Sequence, residues 1–291
     1  MNYSKSYLPD SSNCQPFFTI IIATLNAEKT VEECLESIIQ QTELNKIEIL
    51  IKDGGSTDKT IDRIGNYKKH LSYFKSSPDS GVYDAWNKLL PLASGKWVLF
   101  LGADDMLFDH SVLSNWAPVL NNLEPSVAIA YGRVRLVSKD NESIIDVGKN
   151  WNKTKKCIKE KMCMAHQGVF HRRSLFEKYG SFNTDYLICS DYDFIRRVLA
   201  DYNVHYLDGI ISNMQVGGLS SDSKYTFLRL KELRQINSTY GERFPGPLWL
   251  ITYSNACIRH LLYFCVGKKN ANYILDQFRA ITGLPSFWTK T

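Results

Sequence analysis

No CxxC pair occurs in this 291-residue sequence, although it holds seven cysteines: Cys14, Cys34, Cys157, Cys163, Cys189, Cys257 and Cys265. The number is odd and several lie in apolar stretches. That excludes a dense disulfide framework and predicts reduced thiols, hence a cytosolic protein. Cys157, Cys163, His166 and His171 are near neighbours, but their spacing fits no standard zinc pattern. A GxGxxG fingerprint is also missing, which argues against a dinucleotide-dependent oxidoreductase. So is the basic, glycine-rich early loop that a sugar-phosphate nucleotidyltransferase would need. No uninterrupted apolar run spans a bilayer convincingly. Residues 1–15 are polar and lack the apolar core of a secretion signal, so they are expected to form a loose arm. An excess of one charge sign is nearly absent as well. The net charge is +5 and the pI about 8.7, which suits anionic phosphates or a membrane surface without demanding nucleic acid.

What is present is ordinary globular composition, 44% hydrophobic and 22% charged, with 16 Tyr, 14 Phe and 6 Trp. A sizeable core is available, with aromatic residues to spare for a binding site. The most informative stretch is Lys96–Asp105. Trp97 to Leu101 is a continuous apolar run, as expected of a parallel strand covered on both faces. It ends in Gly102, Ala103 and two adjacent carboxylates, Asp104 and Asp105. The C-terminal end of a parallel strand is where open α/β sheets bind ligands. Two neighbouring carboxylates repel unless a cation, a donor or water intervenes, and a hard divalent cation carrying substrate phosphates is a natural partner. The plainer alternative is a solvated turn that caps the next helix.

The rest of the first half repeats that plan. Residues 17–23 read as a central strand leading to Thr24 and Asn26, with Asn26 as N-cap of a helix whose first turns carry Glu28, Glu32 and Glu33. Residues 47–52 form a second strand that ends in Asp53-Gly-Gly-Ser-Thr-Asp58. Here Gly54 and Gly55 leave room for a ligand, and Ser56 or Thr57 is placed to cap the following helix. A short strand over 71–75 leads to a loop and helix start crowded with Asp79, Tyr83, Asp84, Asn87 and Lys88. Val82, Trp86, Leu89 and Leu90 form the buried stripe of that helix. Strand–helix repeats of this kind predict an α/β domain with a mostly parallel sheet whose loops converge on one edge.

Beyond Asp109 a helix to about Leu120 is expected. A hairpin of strands over 127–137 and 143–147 should follow, then a mobile, Lys-rich surface loop over 149–161 and a strand over 164–173 bearing His166, Gln167, His171, Arg172 and Arg173. Ser190 should cap a helix with Asp191 and Asp193 in its first turn. Residues 204–207 form a strand, 216–221 a hinge or lid, and the remainder is helical.

Taken in order, these pieces resemble glycosyltransferase family 2, the inverting nucleotide-sugar enzymes with the GT-A fold, over Phe17 to Ser221. They are Thr24-Leu-Asn26, Asp53-Gly-Gly-Ser-Thr-Asp58, Asp79-Ser-Gly-Val-Tyr-Asp-Ala-Trp-Asn-Lys88, Gly102-Ala-Asp-Asp105 and Ser190-Asp191. There are two departures. Gly102 stands where the family's DXD motif has its first Asp, and Ser190 where its Glu-Asp pair has Glu.

The resemblance implies a catalytic domain over 16–221, with a nucleotide-binding half over 16–105 and an acceptor half over 106–221, followed by a helical extension over 222–291. Thr24, Asn26, Asp53, Gly54, Ser56, Asp79, Asp84, Asn87, Lys88 and Asp104 would contact the nucleotide, Asp53 by accepting from the base. Asp104 and Asp105 would bind Mn or Mg, Asp191 would be the general base, and His166, Gln167 and Asp193 would meet the acceptor. The implied reaction moves a hexosyl or N-acetylhexosaminyl group from a UDP-sugar to a saccharide or lipid-linked saccharide, as in O-antigen, capsule or lipopolysaccharide synthesis. Without the family, a catalytically silent nucleotide- or sugar-binding protein and a nucleotidyltransferase remain as alternatives. Nucleic acid is not an expected partner; homodimerisation is left open.

Residues 247–266 are rich in Leu, Ile and aromatics yet contain Asn255, Arg259 and His260. A spanning helix would bury Arg259 near its centre at about 2.5–3.5 kcal/mol. The alternatives are a helix packed on the core and an interfacial helix. In the second case Lys268, Lys269 and Arg279 would meet anionic lipid, giving a peripheral contact through 247–279 on the inner face of the cytoplasmic membrane.

Overall fold

Strand β1 (Phe18–Thr24) is apolar at nearly every position because both faces of the sheet are covered. The computed structural model describes residues 15–218, 223–241 and 245–290. The expected arm over 1–15 therefore lies almost wholly outside the described residues, as do positions 219–221 of the expected hinge. After β1 come α1 (Val31–Ile39), β2 (Ile47–Asp53), α2 (Thr60–Gly65), β3 (Tyr73–Ser76), α3 (Val82–Leu89), β4 (Trp97–Gly102), β5 (Met106–Leu107), α4 (Val112–Asn121), β6 (Val127–Val137) and β7 (Ser143–Val147). Then follow α5 (Trp151–Cys157), β8 (Val169–Arg172), α6 (Ser174–Tyr179), α7 (Ser190–Val198), β9 (Asn203–Gln215), α8 (Thr226–Thr239) and α9 (Pro247–Ile281).

The sheet runs β3-β2-β1-β4-β8-β6-β9-β5, with β7 paired to β6. Strands β3, β2, β1 and β4 are parallel, and β8 enters antiparallel to β4. Alternate residues feed two cores. Ile21, Leu50, Val98 and Phe100 pack with α3, α7 and α8 on one face. Ile20, Ile22, Ile51, Leu99 and Leu101 pack with α1 and α4 on the other. The α/β reading and the parallel half therefore stand as expected.

Several local expectations do not. The Lys-rich stretch is not a loop: Asn150 accepts the backbone N–H of Lys153 and starts α5, which buries Thr154. The cysteines are not all reduced. The turn after α5 brings the Cα atoms of Cys157 and Cys163 to 6.2 Å and the two are disulfide-bonded, so cysteine usage no longer argues for the cytosol. Asn26 does not cap α1. It has φ 48°, and its side chain accepts from the N–H of Thr57 across to the next loop. Neither Ser56 nor Thr57 caps α2, whose N-cap position is Lys59; Asp58, one residue earlier, accepts from the N–H and hydroxyl of Thr60. Ser190 is the first residue of α7 rather than its cap, and among the described residues its buried hydroxyl finds no partner.

The last two helices behave differently from each other. Helix α8 joins the main core through Leu233 and Ile236. Helix α9 breaks at Gly267 (φ 76°) into segments 247–266 and 268–281. Its inward face carries Arg259, Asn272 and Asp276, while Ile251, Ile258, Leu261, Phe264, Phe278 and Ile281 are exposed. With Ala256 and Ala271, the buried positions are thus small or polar rather than the large apolar stripe expected of a core helix. Among the described residues no helix is long and apolar enough to cross a membrane.

Candidate active site

Parallel register lines up the functional strand ends. Thr24 is paired with Asp53, Ala23 with Gly102, and Asp53 with Ser76, so the ends of the four strands lie side by side at the C-terminal edge of the sheet. Asp53 is fully buried. One carboxylate oxygen accepts from the hydroxyls of Thr24 (3.0 Å) and Ser56 (2.5 Å). The other accepts from the N–H groups of Gly55 (3.0 Å) and Ser56 (2.9 Å) and from Ser76 Oγ (2.6 Å). Burial pushes its pKa up, but the hydrogen bonds from Ser56, Ser76 and Thr24 outweigh that and hold it below its usual value.

With these lone pairs taken by protein donors, Asp53 does not offer itself to a nucleotide base as the sequence suggested. It builds the loop instead. Asp53→Ala would strand the amides of Gly55 and Ser56, at about 1–3 kcal/mol for each buried group left unpaired. We expect it to raise the donor dissociation constant at least about tenfold, since 1.4 kcal/mol is one decade. Titration calorimetry with the nucleotide checks this, and unchanged affinity would refute the loop-building role.

The carboxylate that does face the edge is Asp79. Its Oδ2 stands 3.1 Å from where a Cβ on residue 54 would lie, so a side chain at 54 would crowd it. Lys52 holds it there. This lysine is almost completely buried in β2, and its Nζ donates to Asp53 O (2.6 Å), to Ser77 O and to Asp79 Oδ2 (3.3 Å). Sequence reasoning missed Lys52, though a lysine on the core side of an apolar strand was a readable anomaly.

Asp104 and Asp105 close over Gly102. A Cβ there would lie 2.7 Å from Asp104 Oδ1 and 2.8 Å from Asp105 Oδ2, so this conformation leaves no room for the side chain of an Asp at 102. Asp105 is buried and accepts from Gly102 N at 2.9 Å. Burial, then the neighbouring Asp104, push its pKa up to about 7 against opposing hydrogen bonds from Gly102, Gln167 and Gln215. Burial raises that of Asp104 too. Two carboxylates held so close to one point fit a hard cation, which would relieve their mutual repulsion. Among the described residues no third acidic, His or Cys side chain joins them. Donor phosphates would have to complete the coordination.

Asp191 opens α7 on the other core face. Its Oδ1 is 3.1 Å from the Tyr83 hydroxyl and accepts from Tyr192 N at 2.8 Å. Burial raises its pKa to about 6, only partly offset by those hydrogen bonds. Tyr83, named in the polar cluster at the start of α3 but given no role from sequence, also donates to Ile188 O at 2.7 Å.

Other expected contacts are committed elsewhere. Asn87 brackets the backbone of Phe182, donating to its O (2.8 Å) and accepting from its N (3.0 Å), and so fixes the approach to α7 rather than a nucleotide. Asp84 pairs with Lys88 at 2.7 Å and accepts from Ser80 N, which keeps Lys88 on the outer surface of α3. His166 lies in an aromatic cluster with Trp86, Phe100 and Phe182, both ring nitrogens buried, so its side chain presents no edge to an acceptor. Burial and the neighbouring His171 keep it neutral, its pKa well below the usual value. Gln167 faces Asp105. Asp193 is ion-paired with Arg197 at 3.1 Å.

The family model described as glycosyl transferase family 2 matches residues 19–180. PGL/p-HBAD biosynthesis glycosyltransferases of Mycobacterium bovis and Mycobacterium tuberculosis are 35% identical over 212 residues, 71% of this chain and 80% of theirs. S. aureus TarS 1–349, solved with UDP-GlcNAc, superposes with a TM-score of 0.58 at 17% identity over 88% of this chain and 83% of its own. The mannosyltransferase PcManGT from Pyrobaculum calidifontis, solved with GDP-Man and Mn2+, gives 0.59 at 18% identity over 96% and 84%. At those identities the two structures speak to a common fold alone.

Proposed function

The chain belongs to glycosyl transferase family 2 and has its GT-A fold, and from that premise we propose that it moves a hexosyl or N-acetylhexosaminyl group from a UDP-sugar to a saccharide hydroxyl with inversion. The observation that carries the reading is Asp191. It is one carboxylate, poised near neutrality, on a different element from the Asp104–Asp105 pair. A base near the working pH suits removal of the acceptor's hydroxyl proton. A divalent cation at Asp104 and Asp105 would supply charge stabilisation to the departing diphosphate. Asp79 and the Thr24–Asn26 and Gly54–Ser56 loops border the nucleotide, and Asp53 and Lys52 hold those loops in shape. A second carboxylate acting as nucleophile is not part of this arrangement, and a direct displacement inverts the anomeric carbon. UDP release from a panel of UDP-sugars with mixed saccharide acceptors tests the reading. Turnover with GDP-sugars alone would overturn the nucleotide assignment.

The acceptor in this reading is a lipid-linked saccharide for a surface polysaccharide, met at a membrane through 247–279. Supporting it, the two segments of α9 turn apolar residues outward, with Phe264 89% and Leu261 62% exposed. Residues 222–291 also hold ten Lys and Arg against four Asp and Glu, so the chain's whole positive excess lies there. The full chain should float with anionic vesicles, and Leu261→Glu/Phe264→Glu should not. Failure of the full chain to float, together with a dimer that this double substitution dissociates, would make the face a contact between two copies instead.

A further inference from the structure

Glu232 is a carboxylate that neither the cation site nor the nucleotide loops use. It sits on α8, 3% exposed, and is filled by three successive backbone amides. Leu187 N donates to its Oε1 at 2.8 Å, and Ile188 N and Cys189 N donate to its Oε2 at 3.0 and 2.9 Å. Those three residues immediately precede α7, whose second residue is Asp191. The backbone of Ile188 is thereby held at both its polar groups, its N–H by Glu232 and its C=O by the Tyr83 hydroxyl, which also touches Asp191. A turn further on, Asn237 Oδ1 accepts from Tyr192 Oη (2.6 Å) and from Arg196 Nη1 (3.0 Å), tying α8 to α7 a second time.

We propose that Glu232 is a positioning residue for Asp191, reaching it through the backbone of Ile188 and Tyr83, so that α8 is a working part of the active site. The inference rests on Asp191 being the base. Its physical content is that three charge-assisted hydrogen bonds fix the start of α7 more firmly than a neutral cap could. A reacting group misplaced by about 1 Å can cost 10²-fold in rate. Tyr83 has one phenolic proton, so it can serve Ile188 O or the charged Asp191 but not both at once. Holding Ile188 in place therefore also sets how strongly the phenol supports the carboxylate. Among the described residues, the charged or titratable groups around Asp191 are Tyr83 on α3, Cys189 before α7, Tyr192 and the Asp193–Arg197 pair on α7, and Glu232 on α8, with Arg229 of α8 beside Cys189.

The test is Glu232→Gln, which keeps shape and removes charge. Turnover should fall roughly 10- to 10²-fold, with donor affinity unchanged. The acidic limb of the kcat profile should move to lower pH, because a negative charge near Asp191 is gone. A purely structural cap would lower the melting temperature and leave kcat of the folded protein at its wild-type value. Wild-type turnover, or a lower melting temperature alone, overturns the proposal. If Glu232→Gln fails to fold, hydrogen exchange on the unaltered protein decides. The amides of Leu187, Ile188 and Cys189 should exchange only with global unfolding, and rapid exchange would overturn the clamp. Failure of the underlying reading has its own signature, full turnover by Asp191→Asn.

Discussion

Asp191→Asn should abolish sugar transfer while leaving donor affinity unchanged. Removing a positioned general base costs about 10²- to 10⁴-fold in rate, and the amide keeps the size of the carboxylate beside Tyr83. The unaltered protein should show a matching pH dependence. Burial raises the Asp191 pKa to about 6. The active form is deprotonated, so kcat should climb as pH rises through about 6 and level off above it. Steady-state kinetics across pH, with donor binding measured separately, check both parts. Should Asp193→Asn be inactive and Asp191→Asn normal, the base is the Asp193 carboxylate, now paired with Arg197.

Chelation, or replacement of the acidic pair, should be nearly as damaging. Asp104 and Asp105 converge over Gly102, where burial raises both pKa values and the charge of Asp104 adds to the rise at Asp105. A divalent cation would turn that cost into a gain and is worth several kcal/mol at a departing diphosphate, on the order of 10²-fold or more in rate. Activity should vanish in excess chelator and return with Mn or Mg. Asp105→Asn should lower turnover to a comparable degree and weaken metal-dependent nucleotide binding. Full activity in chelator would remove the cation from the reaction. Full activity of Asp104→Asn/Asp105→Asn in a metal-dependent enzyme would move the cation elsewhere.

The half of the site built from strand ends was legible in the sequence because its signal is local. A buried parallel strand is a continuous apolar run, and a carboxylate that ends it stands out, as at Asp53 and Asp104–Asp105. The two acids in the first turn of a helix placed Asp191, but its expected role as base came from the resemblance alone. What escaped were the long-range consequences. Nothing near Asp53 announces that Thr24 and Ser76, on two other strands, will take up its lone pairs. The use of Asn87 on Phe182, and of Glu232 on Leu187 to Cys189, depends on helices whose packing no periodicity records. The Lys-rich stretch hid α5 because lysine favours a helix as readily as a solvated loop once Asn150 caps it. In α9 the apolar spacing was plain, but spacing alone does not say which face turns inward. There Arg259 bonded to Thr226, and Asp276 accepting from Phe287, Trp288 and Thr289, decide it.

The proposal of a single base and a direct displacement is tested most directly by the stereochemistry of the product. Proton NMR of the first-formed glycoside, made from a UDP-sugar of known anomeric configuration, reads it from the anomeric coupling constant. The account predicts the inverted anomer as the sole initial product, and a retained configuration would contradict it.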